Sequence, residues 1–134
     1  MTFRTLLVIK AIVCLVFAVP FLAAPSLLLR LLGATVCPGG LFTAREYGAA
    51  MIGTLLLTWF AKGVSARDAK GAILLDLLVY DAIGVLLGLY GVFSGVLNVL
   101  GWGVVVVYLF FAVGSAYVLV REKPFREVAA QPGT

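Results

Sequence analysis

AILLDLLVYDAIGVLLGLYGVF, residues 72–93, decides the reading of this chain. The run is apolar almost throughout, and its length matches the roughly 17 to 25 residues that a helix needs to cross hydrocarbon. Apolar residues follow one another rather than alternate, and membrane strands would be about half as long, so a helix is expected. Three further stretches read the same way, at residues 5–24, 42–60 and 97–120.

Composition points in the same direction. Of 134 residues, 63% are hydrophobic and 12% charged. The charged share is about half that of a soluble domain. Mean hydropathy is +1.17. A water-soluble domain this small has too much surface for its volume to hide so much apolar matter. The chain therefore reads as an integral membrane protein. A disordered chain, a secreted disulfide scaffold and a nucleic-acid-binding module are excluded. There is no His, which removes the commonest general base, the usual haem ligand and the commonest zinc ligand. Ser-His-Asp and Cys-His catalytic units cannot be built, and no phosphate-binding glycine motif follows a strand-like run. No enzyme activity, cofactor or metal site is expected. Cys14, inside an apolar run, and Cys37, in a Pro/Gly turn, read as separate thiols rather than a disulfide.

The expected fold is all-α: an integral membrane bundle of four transmembrane helices, with a short interfacial helix after the first. Residues 1–120 form that domain, and residues 121–134 a polar cytoplasmic tail. The first stretch imitates a signal peptide, but Pro25 directly after Ala24 argues against cleavage there, so it reads as a retained span. Pro20 is expected to kink it or end its regular part. Ser26 to Leu32 is too short to cross and reads as the interfacial helix, capped by Ser26 and ended by Gly33. Cys37-Pro38-Gly39-Gly40 reads as a turn. The short link Ser94-Gly95-Val96 makes the last two spans a tight antiparallel hairpin. If the N-terminus, the connection 61–71 and the tail share one side, that side holds Arg4, Lys62, Arg67, Lys70, Arg121, Lys123 and Arg126. The other holds Arg30 and Arg45. The asymmetry predicts a multi-pass protein of the cell inner membrane with both termini cytoplasmic. The net charge of +4 needs no acidic or nucleic-acid partner.

Ionisable residues inside spans cost about 3 kcal/mol each on insertion scales and are candidate functional residues by default. Five qualify: Lys10, Arg45, Glu46, Asp76 and Asp81. Lys10 and Asp76 each stand roughly 8 Å from the cytoplasmic ends of their spans, which makes an ion pair between them one expectation. Snorkelling of Lys10 and hydration of Asp76 is the other. Asp81 lies near the midplane, too deep to snorkel, and must face the protein interior with a partner. Arg45 is the first candidate, then hydroxyls such as Thr54, Tyr80 or Tyr108, with Glu46 completing a polar cluster of Arg45, Glu46 and Asp81. Asp76 and Asp81 are about 140° apart on a helix, so they do not form an acid–base dyad.

Small residues recur at four-residue spacing. Gly84 with Gly88, Gly91 with Gly95, and Ala49 with Gly53 fit motifs that let helices approach closely, and Gly48 belongs to the same set. Packing within the chain and a homodimer seam are the two readings. Trp59 and Trp102 read as interfacial anchors.

Two stretches carry a resemblance. Ala44-Arg45-Glu46-Tyr47-Gly48-Ala49-Ala50, continued by Gly53 to Lys62, is one, and Ser94 to Trp102 is the other. Together they resemble small bacterial four-span membrane proteins of unknown function, loosely DoxX-like in size and layout. That group carries an amide where this chain has Asp81. The resemblance implies a four-span fold and supplies no catalytic residue.

Three functions compete. The leading one is a non-enzymatic small subunit or packing partner of a larger membrane complex or homo-oligomer, which predicts a dry interior. A proton- or cation-coupled transporter or channel using Asp81 predicts a wet cavity reaching that residue. A lipid- or quinone-binding protein predicts a lateral opening with Tyr or Arg45 at its mouth. The lipid bilayer is the common partner.

Overall fold

A computed structural model describes residues 1–124. Five helices follow one another: α1 (Phe3–Ala23), α2 (Pro25–Leu31), α3 (Pro38–Ala61), α4 (Arg67–Phe93) and α5 (Gly101–Glu122). The fold is all-α, with no strand among the described residues. Three helices, α1, α4 and α5, are long and apolar enough to cross a membrane. The expected count of four is corrected to three by that measure. The fourth expected stretch lies in α3, which has 24 residues but carries Arg45, Glu46 and four glycines within them.

Local chemistry explains where the helices begin. Thr2 caps α1 by accepting from the Thr5 amide, an oxygen-to-backbone bond that satisfies an otherwise unpaired donor. Pro20 lies inside α1, which runs on to Ala23 instead of ending there. Pro25, not Ser26, opens α2: a proline at the first helical position loses no intrahelical bond. Gly33, at φ 81°, ends it. The Cys37–Gly40 segment does not form a separate turn. Cys37 Sγ accepts from the Gly40 amide at 3.3 Å and Pro38 starts α3. α4 begins five positions earlier than the apolar run, at Arg67, and α5 begins later, at Gly101. Residues 121 and 122 of the expected tail belong to α5 and Lys123 caps it, while residues 125–134 lie outside the described residues.

The helices form two extensively packed pairs, α1 with α3 and α4 with α5. At the end holding the N-terminus the pairs close on one apolar core. Phe3, Leu6 and Leu7 of α1 meet Ala61 of α3, Leu74 and Leu77 of α4, and Phe111 and Val118 of α5 there. Lys70 and Glu122 form an ion pair at 3.7 Å at the same end. Toward the other end a cavity lies between the pairs. Outward-facing side chains stay apolar, as at Leu86, Leu87, Val113 and Val120.

Candidate functional site

The cavity has a volume of about 120 Å³ and is lined by residues of α1, α2, α3, α4 and α5. Its floor is Lys10, its walls include Cys14, Tyr47, Tyr80 and Tyr108, and Leu28, Leu32 and Leu97 roof it. Lys10 is the sole formally charged residue lining it.

Lys10 faces inward because it lies on the buried stripe of α1, with Leu6, Leu7, Ala11, Cys14 and Ala18. The corresponding stripe of α4 holds Leu74, Leu77, Asp81, Gly84, Gly88 and Gly91. These stripes bring Lys10 and Asp81 together, and Lys10 Nζ donates to Asp81 Oδ1 in a buried ion pair. Both residues are withdrawn from solvent, at 4% and 0% exposure. The Lys10 ammonium also lies 4.3 Å from the centroid of the Phe111 ring and 5.5 Å from that of Tyr80. Such contacts favour a desolvated cation. Asp81 Oδ2 is buried without a partner among the described residues, as is Ser115 Oγ.

This pairing corrects two expectations. Asp76 is exposed and does not meet Lys10. The cause is the face of the helix: Asp76 falls outside the buried stripe of Leu74, Leu77 and Asp81. Counted from the opposite ends, Lys10 stands 13 residues before Ala23 and Asp81 12 before Phe93 (23 minus 10, 93 minus 81), so they share a depth. The expected cluster of Arg45, Glu46 and Asp81 does not assemble either. Arg45 and Glu46 are exposed, and neither has an ion pair among the described residues. Ala44 and Gly48 hold the buried face of α3 there, which turns Arg45 and Glu46 outward.

Three tyrosines form the polar part of the wall. Tyr80 Oη donates to Tyr47 Oη at 3.0 Å, and the Tyr47 and Tyr108 hydroxyls are hydrogen-bonded to one another. They come from α4, α3 and α5. Glycines seat them. A Cβ on Gly84 would overlap the Tyr108 ring, and one on Gly48 would come within 2.9 Å of Phe21 Cβ. Phe21 in turn packs edge-on against Tyr47. Gly88 and Gly91 likewise lie against Val105 and Leu97. Gly53 and Gly95 do not fit the packing expectation: a Cβ on either meets nothing within 4 Å, and Gly95 is a turn residue at φ 75°. Sequence reading listed Tyr80 and Tyr108 only as partners for Asp81 and passed over Tyr47. A tyrosine beside the buried Ala44–Gly48 face was the available signal.

One residue ties the α4–α5 connection to the end of α2. Asn98, in the connection between α4 and α5, donates through Nδ2 to the Leu31 carbonyl at 2.7 Å. Its backbone amide donates to the Leu32 carbonyl at 2.8 Å. Cys14 and Cys37 are free thiols, the first buried and the second exposed. No group of His, Cys, Asp and Glu suited to a metal ion occurs among the described residues.

The chain matches no protein-family profile, no curated protein and no solved structure.

Proposed function

We propose that this chain is a non-enzymatic membrane protein that binds a small lipophile between its helices. The apolar outer faces of α1, α4 and α5 support the membrane setting, with α3 packed along α1. The single observation that carries the binding reading is the cavity itself. A tightly packed structural subunit has few voids larger than a water molecule. Here a partly open cavity of about 120 Å³ has apolar walls with convergent polar groups, the usual make-up of a small-molecule site. The volume approaches the roughly 150 Å³ of an apolar cavity that accepts benzene. A lateral route is supported too: α3 and α4 lack extended contact, and Tyr47 and Tyr80 meet across the gap, with Tyr80 42% exposed.

Fluorine NMR of fluorobenzene with protein in phospholipid nanodiscs tests the reading, with empty nanodiscs as the blank. Saturable binding is expected in the wild type and its loss in Val107→Phe, which fills the cavity. Absence of saturable binding to the wild type would overturn the proposal.

A further inference from the structure

From the unused donors of Lys10 at the cavity, we infer that its ligand is a neutral lipophile whose head carries a carbonyl-type oxygen that accepts from Lys10. The inference rests on the binding reading above. An ammonium group has three N–H donors and no acceptor. One donor of Lys10 is used by Asp81, and that is its one hydrogen bond among the described residues. Two remain on a side chain that lines the cavity.

The tyrosines add to the surplus. Three hydroxyls carry three hydrogens, and two bonds join them. With Tyr80 donating to Tyr47, either Tyr47 donates to Tyr108 or the reverse. In both arrangements one O–H is left over, on Tyr108 or on Tyr47, and both residues line the cavity. The Thr54 hydroxyl is already spent on the Ala50 carbonyl at 3.2 Å. The tyrosine and Thr54 oxygens keep free lone pairs, and Asp81 Oδ2 is an unpaired acceptor outside the cavity lining. The Lys10 end of the wall, however, can only donate, and a ligand acceptor is what complements it there.

Charge selects further. Lys10 is compensated by Asp81, so the walls are neutral in sum. A carboxylate ligand would leave one uncompensated negative charge in an apolar enclosure, and an ammonium ligand one positive charge. Either is strongly disfavoured. A ketone, ester or amide oxygen adds no charge and takes a charge-assisted bond from Lys10, stronger than a bond between neutral groups.

Four para-substituted fluorobenzenes of similar size separate the possibilities in the same nanodisc assay: para-fluoroacetophenone, the para-fluoro ethylbenzene, para-fluorobenzylammonium and para-fluorobenzoate. The ketone is expected to bind about tenfold more tightly than the hydrocarbon, the equivalent of one good hydrogen bond. Both ions should bind more weakly than the hydrocarbon. Lys10→Met combined with Asp81→Leu removes the pair as a unit. Hydrocarbon binding by that variant shows that it is folded, and its preference for the ketone should fall below about threefold. Saturable hydrocarbon binding without ketone preference overturns this inference and leaves the binding reading standing. Preference for either ion, or full ketone preference in the double variant, also overturns it. Failure of all four to bind overturns both.

Discussion

Lys10 of α1 and Asp81 of α4 join the two helix pairs through a buried ion pair. Each helix packs along a different partner, so the contact spans the seam between the pairs. On one side of it lies the cavity that Lys10 lines; on the other Leu6, Leu7, Leu74, Leu77 and Phe111 close the core. The pair thus sits at the boundary between the closed and open halves of the molecule. Neither charge is supportable alone in that setting, because an unpaired buried ion keeps its desolvation cost without the compensating attraction.

Removing one partner should therefore be far worse than removing both. Asp81→Leu alone is expected to destabilise by about 3–5 kcal/mol. The double variant Lys10→Met/Asp81→Leu should regain most of that loss. Thermal unfolding in a fixed detergent, read by circular dichroism, checks the coupling. If the double variant is as unstable as the sum of the two single variants, the pair does not act as a unit.

The glycines divide into two kinds, and alanine should tell them apart. Gly84 lies against Tyr108, and a methyl group there would displace the ring. Gly84→Ala is expected to cost about 1–3 kcal/mol, the range for overpacking. It should also weaken binding of the cavity ligand by moving the Tyr108 hydroxyl. Gly53 faces open space inside a helix, so Gly53→Ala should be neutral or stabilising by up to about 1 kcal/mol. Equal effects from the two substitutions would contradict this packing.

The helices were legible from apolar runs, and their order and the antiparallel return of α5 on α4 followed from short connections. The ends were less so. The polar start of α4 at Arg67 and the Cys37-Pro38 start of α3 carry no apolar signal. Asp81 was singled out correctly as an interior residue, but its partner was not. Proximity in depth was judged from one end only. The better guide was the stripe: Asp81 falls in the same three- and four-residue spacing as Leu74, Leu77, Gly84 and Gly88, and Lys10 in that of Leu7 and Cys14. Arg45 misled because its long side chain made it a plausible partner, whereas Gly48 and Ala44 decide which way that turn of α3 faces. The tyrosine trio depends on three helices meeting, which no single-helix pattern encodes.

Accessible thiols offer a check on orientation. Cys37 is exposed at the start of α3, and Cys14 is buried. With both termini cytoplasmic, a membrane-impermeant maleimide should label Cys37 from outside the inner membrane and leave Cys14 unmodified. Ser65, exposed in the connection between α3 and α4, lies at the opposite end. Ser65→Cys in a Cys37→Ser background should react only after the membrane is opened. Labelling of that cysteine from outside would reverse the topology.

Asn98 should control how quickly the cavity exchanges its contents. Its side chain makes two bonds: Nδ2 donates to the Leu31 carbonyl at 2.7 Å, and Oδ1 accepts from the Leu100 amide at 2.9 Å. The first fastens the connection to α2, whose Leu28 lies with Leu32 and Leu97 over the cavity. Asn98→Ala removes both side-chain bonds but keeps the backbone bond to Leu32. Because these bonds lie at an exposed site, the expected stability loss is small, about 1–2 kcal/mol for two hydrogen bonds. The kinetic effect should be larger than the thermodynamic one. The walls that contact the ligand are untouched, so affinity for para-fluoroacetophenone should change less than about threefold, within roughly 0.7 kcal/mol. Association and dissociation should both accelerate, as expected when a cover opens more often without altering the bound state. Saturation-transfer fluorine NMR in nanodiscs measures both rates. Unchanged exchange in a folded Asn98→Ala protein would mean that ligand enters elsewhere, with the gap between Tyr47 and Tyr80 as the remaining route.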